Sequence, residues 1–128
     1  RRTAEGIAES AGATAEVEIR RFYPVTYNDP ELTAASLSSL ERVVGQQGLI
    51  PVPPLMVAED FSFFALEAPG FYFMLGVNAP GVAFGEAASN HSPYFYVNED
   101  ALEVGVRAMA TLAVDYLERE HEQRAEGP

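Results

Sequence analysis

The sequence contains no cysteine, which excludes disulfide bonds and thiolate metal ligands and fits a reducing, cytoplasmic compartment. It also lacks any apolar run long enough to span a membrane as a helix. Basic residues are scarce: 8 Lys and Arg stand against 19 Asp and Glu, and the formal net charge is −11. Such a negative field repels phosphate groups, so neither nucleic acid nor an anionic membrane surface is an expected partner.

The remaining composition is that of a globular protein, with 48% hydrophobic and 21% charged residues in a chain of 128. A chain of this length is one domain or a fragment of a larger one. It begins at Arg1 without an initiating Met, and no signal-peptide pattern follows. Because the opening pattern is that of the last turns of a helix, we expect a fragment.

The first 22 residues predict one helix and one strand. An Ala- and Glu-rich stretch over residues 1–11 predicts a helix that ends at Gly12, where a left-handed cap is common. Val17 and Ile19 then alternate with charged residues, which predicts a strand over 13–22 with one apolar face. One helix and one strand cannot enclose a core, so this piece is expected to pair with something outside the chain.

The middle of the chain predicts a helix, a loop and a short strand. Asp29 as N-cap and Pro30 in the first turn predict the start of the helix, and Gly45 predicts its end. A short strand is expected at residues 55–57, and a short helical turn at residues 61–66.

The last third of the chain predicts one more strand and a long helix. Residues 71–77 are apolar and uncharged, which predicts a strand buried on both faces. Asn98 is expected to cap the final helix, whose apolar residues share one face: Leu102, Val106, Met109, Ala113 and Tyr116. The predicted fold class is therefore α/β.

His91 is the sharpest candidate for chemistry. It lies in a loop between the predicted buried strand and the final helix, and loops of this kind commonly carry functional sites. A neutral imidazole is also the commonest zinc ligand. The alternative is a surface histidine without a role, because one ligand does not make a site. The only other histidine, His121, lies in the charged tail and is expected to be solvated.

The carboxylates of Glu59 and Asp60 are the second candidate, with Ser62 close by. They could contact a metal, a substrate or a metal ligand. The alternative is that Asp60 or Ser62 caps the helical turn that follows. Adjacent side chains on an extended backbone point apart, so at most one of the two carboxylates is expected to face a site. The aromatic residues that follow, over 61–73, are expected to be core.

Several motifs in fixed order resemble the N-acyl-amino-acid amidohydrolases, which include the hippurate and auxin-conjugate hydrolases. HSPYF at 91–95 followed by NEDAL at 98–102 resembles their C-terminal signature. MVAEDFS at 56–62 resembles their SEDF loop, and YPVT at 23–26 resembles the junction between their lid and catalytic domains. The resemblance covers nearly the whole chain. It places the chain among the two-metal aminoacylases and carboxypeptidases.

The resemblance implies an α/β catalytic domain interrupted by a smaller α/β lid domain that commonly dimerises. Residues 1–28 would be the end of the lid domain, and residues 29–128 the C-terminal part of the catalytic domain. Two divalent metal ions (zinc, manganese, cobalt or nickel) would activate a water molecule, with a glutamate as general base. His91 matches a metal-binding histidine of the family. Glu59, Asp60 and Ser62 would bind substrate or lie just behind the site.

The chain departs from the family pattern in the other site residues. The family's Cys-Gly-His-Asp stretch and its Glu-Glu pair are absent. We therefore predict a fragment of a metal-dependent amidohydrolase that cleaves N-acyl amino acids, that is inactive alone, and that forms a homo-oligomer when intact. The alternative is a non-catalytic interaction or assembly module that keeps part of the fold. A third interpretation, an acidic α/β domain with chance motifs, is disfavoured because several motifs agree.

Overall fold

The computed structural model describes residues 1–83, 85–125 and 127. Four α-helices follow one another along the chain: α1 (Arg2–Ser10), α2 (Pro30–Val44), α3 (Phe61–Glu67) and α4 (Asp100–Ala125). A 3₁₀ turn, Gln46–Gly48, directly follows α2. No helix in these ranges is long and apolar enough to cross a lipid bilayer.

The predicted α/β fold class is wrong, because the structure is helical and no residue in the described ranges belongs to a strand. The strands predicted over 13–22, 55–57 and 71–77 are all irregular. A strand exists only where neighbouring backbone supplies a ladder of hydrogen bonds, and no such ladder joins these segments in the described part of the chain. Segment 71–77 is also not buried on both faces, since Met74 is 59% exposed.

The predicted end of the first helix is confirmed. Gly12 has a φ of 70° just after α1, in the left-handed region that suits glycine. Its N–H donates to the carbonyl of Glu9 at 2.9 Å, and the N–H of Ala13 donates to the carbonyl of Ala8 at 2.9 Å. These two bonds form a Schellman motif, which satisfies carbonyls that the helix end would otherwise leave free.

The start of α2 also follows the sequence prediction. Asp29 adopts an extended backbone, and its carboxylate accepts a 2.8 Å hydrogen bond from the N–H of Leu32. Pro30 occupies the first turn, where its missing N–H costs no helical bond. Gly45 ends the helix with a φ of 72°.

Helices α2 and α4 pack against each other, and this contact is the main tertiary contact between helices. It is lined by small side chains, because Ser36, Ser39 and Ala108 are buried together with Leu40. The apolar face predicted for α4 lies elsewhere on the helix: Leu102, Val106 and Met109 are all more than half exposed. Of the described helices only α2 packs against α4, and these three side chains lie outside that contact.

A polar contact secures this helix pair. Arg42 of α2 forms an ion pair with Asp115 of α4, whose side chain is only 20% exposed. Hydrogen bonding to Ser39, and secondarily to Arg42, holds the pKa of the Asp115 carboxyl below its usual range although partial burial opposes the shift. The carboxylate thus gains more from folding in its charged form than in its neutral form.

The term natural-length protein is used here for the polypeptide as it occurs in the cell, whether or not that is longer than these 128 residues. We expect Asp115→Asn to destabilise the natural-length protein at neutral pH but not in acid. Because the folded pKa is lowered, the stabilisation is present above the unfolded value of about 4 and is lost as the pH falls through the folded value. Denaturant unfolding from pH 7 downwards should show the two proteins converging. Glu118→Gln, on an exposed position of α4, is the control. The difference in unfolding free energy between wild type and Glu118→Gln should not change with pH. A constant gap between wild type and Asp115→Asn would contradict the linkage.

The whole chain exposes far more surface than a compact protein of its size. Its accessible surface is 10910 Å². A compact monomer of 13.9 kDa is expected to expose about 6,700 Å². Many large apolar side chains are exposed, in α3, in the irregular segments and on the face of α4 that carries Leu102, Val106 and Met109.

Candidate functional site

The turn formed by residues 59–62, here called the Glu59 turn, is held by hydrogen bonds to Glu59. The carbonyl of Glu59 accepts from the N–H of Ser62 at 3.1 Å and from its hydroxyl at 2.6 Å. Its carboxylate accepts from the N–H of Phe61 through Oε1 and from the hydroxyl of Tyr72 through Oε2, both at 3.0 Å. Each carboxylate oxygen of Glu59 therefore has a protein partner.

These contacts set the charge of the turn. The pKa of the Glu59 carboxyl is held below its usual value, first by the Phe61 N–H and then by the Tyr72 hydroxyl. The pKa of the Tyr72 phenol is raised, mainly by the same bond to Glu59. Glu59 is thus an anchored carboxylate, with a neutral phenol beside it at physiological pH.

Asp60 has a different neighbour from Glu59, although its backbone is helical rather than extended, so the strand alternation used for the prediction does not apply here. Hydrogen bonding to Asp60, more than burial, raises the pKa of the Tyr23 phenol. The Tyr23 ring also packs on the Phe63 ring, with centroids 5.6 Å apart. Two tyrosines from distant parts of the chain therefore flank the Glu59 turn, one at each carboxylate.

The structure also decides which residue caps α3. Asp60 precedes the helix but makes no side-chain capping bond. The carboxylate of Glu59 takes the Phe61 N–H instead. Ser62 is fully buried and its hydroxyl is used within the turn, so it lies behind the surface of the candidate site. The alternative that Asp60 or Ser62 caps the turn is therefore not met: Asp60 makes no capping bond, and the Ser62 hydroxyl donates to the Glu59 carbonyl.

Gly70 allows α3 to lie close against the chain that returns past it. A Cβ at Gly70 would lie 3.0 Å from Cε1 of Phe61 and 3.2 Å from Cβ of Ala65. The Phe61 ring has little room to retreat, because the Tyr72 ring lies on it with centroids 5.5 Å apart. The glycine is therefore part of what fixes the Glu59 turn.

We expect Gly70→Ala to destabilise the natural-length protein by roughly 1–3 kcal/mol, the usual cost of overpacking a filled site. Gly76→Ala is the matched control, because a Cβ at Gly76 meets nothing within 4 Å. Urea unfolding of both variants measures the difference. Equal stabilities for the two variants would show that α3 shifts freely to accommodate the methyl group.

His91 lies in an exposed turn at residues 90–94. Ser92 organises this turn: its N–H donates to the carbonyl of Ser89 at 2.9 Å, and its carbonyl accepts from the N–H of Phe95 at 3.0 Å. Among the described residues, the imidazole of His91 takes part in no hydrogen bond. His121, the second histidine, lies on the exposed C-terminal part of α4.

Within residues 1–83 and 85–125, no three or more His, Asp or Glu side chains come together in a group able to hold a metal ion. The described residues therefore do not by themselves fit a metal centre. No hydrogen bond in these ranges joins the Glu59 turn to the His91 turn.

Sequence reasoning missed Asn28 and gave Tyr72 only a packing role. Asn28 lies just before the predicted start of α2, and its side-chain amide makes two hydrogen bonds to the backbone of Tyr72, both at 2.8 Å. One signal was available: Asp29 already fills the N-cap position, which leaves the preceding asparagine without a local role.

Known proteins similar to the chain are hydrolases. Residues 3–115 match the peptidase family M20/M25/M40. Thermostable carboxypeptidase 2 of Saccharolobus solfataricus is 38% identical over 91% of the chain and 28% of its own length. IAA-amino acid hydrolase ILR1-like 2 of Arabidopsis thaliana is 35% identical over 77% of the chain and 22% of its own length. Putative amidohydrolase YhaA of Bacillus subtilis is 30% identical, covering 88% of the chain and 28% of its own length.

The chain spans about a quarter of the length of these relatives. No solved structure matches it significantly. The resemblance to the amidohydrolase branch of the aminoacylases and carboxypeptidases is confirmed, as is the assignment to a hydrolase family that is generally metal-dependent. With 113 consecutive residues (3 to 115) matched out of 128, the chain belongs to the peptidase family M20/M25/M40.

Proposed function

We propose that this protein is a metal-dependent amidohydrolase that cleaves the amide bond of N-acyl amino acids, and that His91 supplies one metal ligand. The observation that carries the proposal is the position of His91 within the HSPYF motif: the residue is exposed and, among the described residues, its imidazole takes part in no hydrogen bond. A histidine with a structural role would be expected to use its ring nitrogens in hydrogen bonds to the protein. A metal-binding imidazole uses one nitrogen for the metal and the other for an orienting partner.

The names of the relatives favour amide hydrolysis as the reaction. Two of them are named as an IAA-amino acid hydrolase and a putative amidohydrolase. A third is named as a carboxypeptidase. We place N-acyl amino acids first as the substrate class because the 91–102 motifs resemble that branch.

The other ligands of the proposed metal pair lie outside the described residues, since one histidine cannot hold two ions. Zinc, manganese, cobalt and nickel are the candidates. We also propose the division into a lid segment, 1–28, and a catalytic segment, 29–128. A homo-oligomer in the cytoplasm is the proposed assembly.

The proposal places the Glu59 turn beside the bound substrate. Both carboxylate oxygens of Glu59 are engaged, so its part is to shape the turn rather than to exchange protons. Asp60 is the more exposed of the two carboxylates and is the one available to a substrate polar group.

A hydrolysis assay tests the proposal. The natural-length protein, loaded with zinc, manganese, cobalt or nickel, should release free amino acid from some members of a panel of N-acetyl and N-benzoyl amino acids. The 128-residue chain alone should release none above a His91→Ala control. A natural-length protein that is folded and metal-loaded but inactive on the whole panel would favour the non-catalytic alternative. Turnover by the chain alone would show that His91 needs no ligands from elsewhere.

A further inference from the structure

We propose that Asn28 is a positioning residue for the Glu59 turn and acts through Tyr72. The proposal rests on the proposed function only in treating the Glu59 turn as part of the site. Asn28 is separated from Tyr72 by 44 residues, yet two hydrogen bonds join them.

The side-chain amide of Asn28 bonds to both backbone polar groups of Tyr72, in the way that two backbone segments pair in a sheet. Nδ2 of Asn28 donates to the carbonyl of Tyr72 at 2.8 Å, and the N–H of Tyr72 donates to Oδ1 of Asn28 at 2.8 Å. The next residue extends the pairing, since the N–H of Asp29 donates to the carbonyl of Gly70 at 2.8 Å. A single side-chain amide therefore fixes the backbone of Tyr72 where a neighbouring strand would otherwise be needed.

The chemistry of asparagine suits this role. A carboxamide carries a donor and an acceptor in one plane, so it matches the N–H and C=O of one residue. Aspartate has the same shape but cannot donate when ionised. Glutamine is one methylene longer and would place the amide out of register. The helix-capping role at this position belongs to Asp29, so Asn28 is not needed to start α2.

Tyr72 in turn contacts the Glu59 turn through its hydroxyl and its ring. With its backbone fixed by Asn28, its hydroxyl reaches Oε2 of Glu59 at 3.0 Å. Its ring lies on the Phe61 ring, with centroids 5.5 Å apart. Asn28, Glu59, Phe61 and Tyr72 are each partly buried.

The pKa of Glu59 reports the position of Tyr72 without any need for activity. The Tyr72 hydroxyl is one of the groups that lower this pKa. Carbon-13 NMR of labelled glutamate in the natural-length protein follows the Glu59 carboxyl, with Glu59→Gln identifying its signal. Tyr72→Phe should raise the pKa of Glu59. Asn28→Ala and the isosteric Asn28→Asp should each raise it as well.

A double-mutant comparison separates positioning from a general effect on stability. Asn28→Ala should raise the Glu59 pKa when Tyr72 is present and leave it unchanged in the Tyr72→Phe background. Asn90→Ala, at an exposed asparagine, is the matched control and should shift nothing. Equal shifts in both backgrounds, or no shift with Tyr72 present, would overturn the proposal. Loss of the folded spectrum in both Asn28 variants would also overturn it, since Asn28 would then serve the whole fold. Each of these outcomes is independent of whether the protein hydrolyses N-acyl amino acids.

Discussion

His91→Ala in the natural-length protein is expected to lose one equivalent of bound metal and to reduce turnover of N-acyl amino acids by at least about 100-fold. Even residues that only orient a metal ligand cost 10–100-fold when replaced, so removing the ligand itself should cost no less. The fold should be almost unaffected, because His91 is exposed and contributes little packing. Elemental analysis, a hydrolysis assay and a thermal melt on the same preparation measure the three quantities.

The chain supplies its own control for this experiment. His121→Ala removes the second histidine, which lies on the exposed C-terminal part of α4. It should change neither metal content nor turnover. Full metal content in His91→Ala would remove His91 from the metal site. A large drop in melting temperature would instead give it a structural role.

The 128-residue chain on its own is expected to self-associate or to lack a cooperative unfolding transition. Its accessible surface of 10910 Å² exceeds that of a compact protein of its mass by about 4,200 Å². A standard protein–protein interface removes only roughly 1,600 Å² in total. Exposed apolar surface of this extent marks either an interaction surface or an aggregation hazard.

Sedimentation over a range of concentrations measures the association, and a thermal melt measures the cooperativity. Phe64→Ser together with Val106→Ser should reduce the association, because both side chains are 70% exposed. Replacing exposed apolar groups should leave the helices in place. A compact monomer at high concentration with a sharp melt would contradict this expectation and show that the chain covers its own apolar surface.

Sequence patterns predicted the helices well because helix ends are set by local chemistry. Gly12, Asp29 and Pro30 act within a few residues of their own position, so their effects can be deduced from the sequence alone. The strand predictions were wrong because strand formation depends on residues far away in the chain. Alternation at Val17 and Ile19 indicates a surface that suits burial on one side, whereas a strand also needs a partner backbone, which sequence pattern does not reveal.

In the candidate site, too, local features could be predicted from the sequence and contacts between distant residues could not. The position of the short helix after Glu59 and Asp60 followed from the sequence. The partners of these carboxylates did not, because Tyr23 and Tyr72 are distant in the chain and were interpreted as part of a junction and as core. Asn28 was missed for the same reason, since its bonds join residues 44 positions apart.

The three methionines provide a chemical footprint of whatever covers the apolar surface. Met56 is fully exposed in an irregular segment, Met74 lies in segment 71–77, and Met109 lies on the outer face of α4. Mild peroxide converts exposed methionine to its sulfoxide, and a chain without cysteine offers no thiol to compete for the oxidant. Mass spectrometry of the chain and of the natural-length protein would therefore show which of the three surfaces another part of the polypeptide shields.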